Sequence, residues 1–143
     1  MRLSYIPPTW RRRTVNERRE ADHMKSTQDV IDHYLDAFEV GDPDKILAVF
    51  SDESAVICGD TIYRGLSEIK RFFEYVMTEV LPPGVHIDSK HHIVEDDIAY
   101  FVWSSTCVKC IVPLGVDTLM VKDGVITHQT AVLDPEYAPW RCN

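Results

Sequence analysis

The strongest constraint on the fold is a change of hydrophobic period at Pro82-Pro83-Gly84. Helical spacing dominates before that point, and strand alternation runs from it to Leu133. Ser26 and Asp29 form an S-x-x-D capping box, followed by Val30, Ile31, Tyr34, Leu35 and Phe38 on one helical face. Gly41 ends that helix, and Asp42-Pro43 restart a second whose buried side is Ile46, Leu47 and Phe50. Residues 55–63 read as a strand broken at Gly59-Asp60. A third helix is expected from about Ser67, with Ile69, Phe72, Phe73, Val76, Met77 and Val80 as a core stripe. Beyond the prolines the pattern predicts strands at His86–Val94, Ile98–Cys107, Val112–Lys122 and Val125–Leu133. Their turns, Glu95-Asp96-Asp97, Lys109–Ile111 and Asp123-Gly124, are short enough to require antiparallel neighbours. The architecture is therefore α+β, with three N-terminal helices on a curved, mostly antiparallel sheet.

Charge divides the chain into a basic arm and an acidic body. Residues 1–25 carry seven basic and three acidic side chains, and the remainder sums to −12 out of a whole-chain charge of −8. The arm contains Pro7-Pro8 and Arg11-Arg12-Arg13 without periodicity, and is expected to be a disordered or loosely docked tail. Regular patterning begins just after Met24, which marks that residue as a candidate natural start. Residues 26–143 then form one domain. The acidic body excludes a nucleic-acid partner, because phosphate needs a basic face. No apolar run approaches the ~20 residues of a bilayer span, and no signal-type apolar segment is present, so a cytoplasmic location without a membrane partner is expected.

Four cysteines do not make a disulfide scaffold in a chain of this size. Cys107 and Cys110 have C-x-x-C spacing, but along one strand positions i and i+3 point to opposite faces. With no second pair to complete a metal site, they read as reduced, buried thiols. No G-x-S-x-G, P-loop, G-x-G-x-x-G or H-E-x-x-H string occurs.

A sheet folded against helices leaves a cavity, the default site of such a domain. Asp117 stands alone among apolar neighbours in Leu-Gly-Val-Asp-Thr-Leu-Met-Val, where burial should raise its pKa. A two-residue turn at Asp123-Gly124 would oppose Leu119 to His128 and Asp117 to Thr130, making Asp117 and His128 diagonal neighbours. A three-residue turn with a bulge would instead oppose Asp117 to Gln129 and turn His128 away. Tyr34 lies on a buried stripe, so its hydroxyl needs an internal partner. His91 and His92 alternate faces and read as a solvated pair, Glu95-Asp96-Asp97 as a solvated turn, and Trp103 as core or interface.

The segment Tyr34-Leu-Asp-Ala-Phe-Glu-Val-Gly41-Asp42-Pro-Asp44, then Phe50-Ser-Asp52-Glu53-Ser-Ala55, then Arg64-Gly65 with Ile69 and Phe72-Phe73, resembles the NTF2-like or SnoaL-like proteins. The hairpin Asp117-Thr-Leu-Met-Val-Lys-Asp123-Gly124-Val-Ile fits the same pattern, and the resemblance spans about residues 27–134. It implies a cone-shaped α+β barrel shared by ketosteroid isomerases, polyketide cyclases and dehydratases, with no cofactor and no metal. Homodimers through the outer sheet face are also implied. In the isomerase pattern, Tyr34 falls on the oxyanion-hole tyrosine and Asp117 on the oxyanion-hole acid. The base position falls on Cys58, with Asp60 two residues on, and a pocket-facing position of the last strand falls on His128. A thiol is a poor carbon base unless its pKa is lowered. The implied activity is a cofactor-free isomerisation, cyclisation or dehydration of a small apolar carbonyl compound, with Tyr34 and neutral Asp117 stabilising an enolate and His128 or Asp60 moving the proton. The alternative is a non-catalytic binding or dimerisation module.

Overall fold

The structure, a computed structural model, describes residues 26–137; the basic arm and Cys142 lie outside the described residues. Helix α1 (Thr27–Val40) opens on the expected capping box: Ser26 Oγ accepts from Asp29 N–H, and the Asp29 carboxylate accepts from Ser26 N–H, both at 3.1 Å. Gly41 closes it at φ 75°, a left-handed conformation that costs glycine little, and its N–H reaches Ala37 O and Phe38 O. Helix α2 (Pro43–Leu47) starts from Asp42, whose side chain accepts from Asp44 N–H. Residues 55–63 resolve into two strands of a tight hairpin, β1 (Ala55–Cys58) and β2 (Thr61–Arg64). Helix α3 (Gly65–Tyr75) starts two residues before its expected position and runs on as a π-helical turn, Val76–Val80, before the prolines.

Strands β3 (His86–Glu95), β4 (Ile98–Thr106), β5 (Cys110–Lys122) and β6 (Val125–Leu133) form an antiparallel meander, extended by the short β7 (Glu136–Tyr137) beside β5. The sheet order is β2-β1-β6-β5-β4-β3, with β1 and β6 parallel. It is a curved, open α+β cone rather than a closed barrel, and the three helices fill its concave side. Ile31, Ile46, Ile69 and Phe73 from the helices meet Leu119 and Ile126 from the sheet, all essentially without solvent contact. Burying side chains of this size contributes roughly 1.5–3 kcal/mol each, which is what holds helices to sheet. Among the described residues no helix is long and apolar enough to cross a membrane.

Two turns differ from their sequence reading, and both differences reach the chemistry. The β4–β5 turn is Val108-Lys109, not Lys109–Ile111: Cys107 N–H donates to Cys110 O at 3.0 Å across it. Cys107 and Cys110 therefore flank a hairpin and share a face, contrary to the single-strand expectation.

The β5–β6 turn has two residues, with Lys122 opposite Val125, but the ladder slips one step later. Val121 pairs with Ile126, whereas Met120 pairs with His128, and Thr127 is the extra residue. Ile126 N–H donates to Val49 O at 2.7 Å, and Ile126 O accepts from the buried Ser54 hydroxyl at 2.6 Å. Those bonds tie the start of β6 to the loop between α2 and β1, beside the bulge. Neither simple register holds: Asp117 opposes Ala131, and Leu119 opposes Gln129.

Candidate functional site

One row of residues crosses the inner face of the sheet. His92 on β3 pairs with Phe101, Phe101 with Asp117, Asp117 with Ala131, and Ala131 with Cys58 in the parallel register. The neighbouring row, Ala99–Leu119–Gln129–Val56, is buried throughout and apolar except for Gln129. Over these rows, closed by α1, α3 and the π turn, lies a cavity of about 240 Å³ with walls almost entirely apolar. Its polar groups come from Tyr34, Trp103, Asp117 and Gln129, with Ser89 and His92 on the β3 side.

Four of these groups form a hydrogen-bonded chain. Trp103 Nε1–H donates to Asp117 Oδ2 at 2.6 Å. Gln129 Nε2 donates to Asp117 Oδ1 at 3.1 Å and to the Tyr34 hydroxyl oxygen at 2.8 Å. Because Tyr34 accepts here, its own O–H proton is free to point at a ligand. Its ring is fixed by edge contacts with Phe38 and Phe73, at centroid distances of 5.1 and 6.1 Å. Trp103 can lie over the sheet only because its cross-strand partner is Gly115; a Cβ there would stand 2.1 Å from the indole.

The electrostatics follow from burial. Asp117 is pushed up to about 6 by desolvation, against the pull of the Trp103 and Gln129 N–H groups toward the carboxylate. Tyr34 is raised well above its ordinary value by burial and then by the Asp117 charge, with the Gln129 bond opposing. It therefore stays a hydroxyl. Burial and Asp117 also raise the Cys58 thiol, so that it is held protonated rather than activated.

Of the five residues singled out from the sequence, the structure brings Tyr34 and Asp117 together through Gln129. Cys58 shares their face, half-buried beside Ala131, but is not part of the cavity wall. The expectation that His128 faces the pocket is corrected: the bulge at Thr127 turns it to the exposed outer face, opposite Met120. Asp60 is likewise displaced, to the exposed β1–β2 turn, where it accepts from Thr61 Oγ1. Two members of the network were missed. From sequence Trp103 reads as core or interface, although an indole N–H needs a buried acceptor and a strand glycine marks close approach. Gln129 sits in the polar run Thr127-His128-Gln129-Thr130, and only the bulged-turn alternative brings it near Asp117. His92, read as solvated, is exposed yet stands over Phe101 with ring centroids 4.8 Å apart, on the cavity side. Among the described residues no cluster of three or more His, Cys, Asp or Glu could hold a metal ion.

The family model described as "SnoaL-like domain" matches residues 31–129. Solved structures similar to this chain include one described as a polyketide cyclase from Sinorhizobium meliloti (18% identity, TM-score 0.60, 72% of this chain and 93% of that one). A second is described as a ketosteroid isomerase from Kribbella flavida (16% identity, TM-score 0.62, 81% and 84% covered). A third, from Mesorhizobium loti, is described as an NTF2-like protein of unknown function (19% identity, TM-score 0.63, 76% and 90% covered). At these identities the likeness is one of fold. None of the curated proteins matches the chain by sequence.

Proposed function

The chain belongs to the SnoaL-like domain family, and on that premise we propose that its cavity takes up a small, largely apolar carbonyl compound and moves a carbon-bound proton on it without a cofactor. The observation that carries this reading is a single carboxylate, Asp117, buried in an apolar cavity and titrating at about 6. Such a group is ionised at neutral pH yet basic enough to accept a proton, close to the optimum for general base catalysis. Asp117 is thus assigned the role of proton acceptor, in place of the neutral hydrogen-bond donor that the resemblance implies. The Tyr34 hydroxyl, whose proton is uncommitted, donates to the carbonyl oxygen as negative charge develops there. Trp103 and Gln129 hold the carboxylate in place from both oxygens. Return of the proton to another carbon gives isomerisation, and expulsion of a β-hydroxyl gives dehydration.

Tyr34→Phe tests the donor without emptying the core. It should lower kcat on an enolisable substrate by about a hundredfold, the usual cost of one oxyanion donor, with little change in KM. A kcat within about twofold of wild type removes Tyr34 from the mechanism.

The same pocket also supports a second, non-catalytic reading, favoured by the position of His128 outside it and by a protonated Cys58. That reading pairs with an apolar outer sheet face, where Tyr100, Met120 and Val132 are exposed and a second copy of this chain is the proposed occupant. Sedimentation of the full chain as a dimer that Met120→Lys converts to monomer supports the pairing; a wild-type monomer at micromolar concentration removes it.

A further inference from the structure

Across the Val108-Lys109 turn, Cys107 Sγ and Cys110 Sγ lie 3.9 Å apart. A hydrogen-bonded cross-strand pair holds its Cα atoms about 5.5 Å apart, inside the roughly 4.4–6.8 Å span of disulfides. The pair also docks on the end of the π turn. Cys110 S–H points at Glu79 O and Val80 O, each at 3.5 Å, and Cys107 Sγ reaches Val80 O at 4.0 Å. These carbonyls belong to the last turn of a helix, where intrahelical donors run out. Lys109 Nζ serves the adjacent Thr78 O at 3.2 Å and the Glu79 carboxylate at 3.3 Å. The β4–β5 turn is therefore a cap on the segment that supplies Val76 and, just beyond it, Leu81 to the cavity wall.

We propose that Cys107 and Cys110 are a redox-active dithiol that closes to an intramolecular disulfide by exchange with a small disulfide of the glutathione class, and that closure uncaps the π turn beside the cavity. Cys107 is the half-exposed sulfur and Cys110 the buried one, so Cys107 is the attacking thiol and Cys110 the resolving one. The Cys107 thiolate attacks one sulfur of glutathione disulfide, forming a mixed disulfide and releasing one glutathione thiolate. The Cys110 thiolate then displaces the second glutathione, forming the Cys107–Cys110 bond. Two protein thiols are oxidised and one external disulfide is reduced to two thiols. Closure removes the S–H donors that face Glu79 O and Val80 O, and the carbonyls are left without that cap.

The test equilibrates the full chain with glutathione disulfide and reads peptides by mass. Trypsin cuts after Lys109, so the closed form yields two peptides joined by a disulfide, two hydrogens lighter than the separate thiols. Cys110→Ser should stop at the glutathione adduct on Cys107, and Cys107→Ser should leave Cys110 unreacted. In the oxidised wild type, amide hydrogen exchange over residues 76–81 should quicken about twofold, below the roughly fivefold of an ordinary hydrogen bond because S–H is a weak donor. The proposal is overturned by Cys107 and Cys110 remaining thiols at high glutathione disulfide. A bond from either to Cys58 or Cys142 overturns it as well, and so does closure with unchanged exchange over that segment.

Discussion

Asp117→Asn should make the protein more stable at neutral and alkaline pH while removing its activity. The carboxyl titrates at about 6 in the folded state against an ordinary value of 3.8. Its pKa is raised, so the folded form holds a proton that the unfolded chain has already released. The stabilisation this brings is complete below about pH 4, is lost as the pH rises through about 6, and is gone above about pH 7. A shift of this size corresponds to roughly 3 kcal/mol, which Asn, neutral at every pH, does not lose. Urea unfolding should show wild type weakening by about 2–3 kcal/mol between pH 4 and pH 8, with Asp117→Asn nearly flat over that window. Turnover should move the opposite way. With nitrobenzisoxazole, an apolar probe whose ring opens when a base removes its C–H proton, the wild-type rate should rise through about pH 6 and Asp117→Asn should lose at least about a hundredfold. A mutant that gains stability and keeps its rate would leave Asp117 a buried structural acid and nothing more. A mutant that loses stability near pH 8 would show that the carboxylate is better solvated than its 8% exposure implies.

The largest structural effect is expected at Gly115. Its absent side chain is what lets the Trp103 indole lie flat over β5; the nearest ring atoms would stand 2.1–2.5 Å from an added Cβ. The indole is a rigid bicycle packed against the core and cannot yield at a flexible tip. Gly115→Ala must therefore rotate the ring or part the strands, and either motion pulls Nε1 off Asp117. Overpacking costs roughly 1–3 kcal/mol, and losing a charge-assisted bond to a buried carboxylate about 1.5–3 more, so a total near 4 kcal/mol is expected in chemical denaturation. Trp103→Val empties the space the methyl would occupy. In that background Gly115→Ala should cost less than about 1 kcal/mol, and this coupling separates a steric cause from a general intolerance of β5. Equal costs in both backgrounds would refute the account of Trp103 and Gly115 as one unit.

Much of the scaffold was legible one residue at a time. The Ser26–Asp29 box, the Gly41 stop and the Asp42 cap are satisfied by partners within four residues, so their signals sit in short stretches of sequence. The helix stripes and the strand meander were equally readable, because burial imposes its period locally. The site was legible in part. Tyr34 and Asp117 were visible as polar groups on apolar faces, and family resemblance pointed to the same two. His128 was not where its position in the hairpin suggested, and Gln129 took the inward place beside Asp117. The Cys107–Cys110 reading failed in the same way: moving the turn by a single residue changed two thiols from opposite faces to one face.

The amino-acid sequence by itself determined the α+β order, the helix ends, the acidic body and the lone carboxylate among apolar neighbours. Each depends on interactions spanning a few residues or on composition alone. Only the tertiary structure decided which residue of the last strand faces Asp117. That choice follows from the bulge at Thr127, next to which Val49 and Ser54, more than seventy residues earlier, hold the backbone N–H and C=O of Ile126. A strand has a period of two, so a slip of one residue exchanges its faces, and neither the slip nor the distant bonds beside it leave a mark in the strand's own sequence.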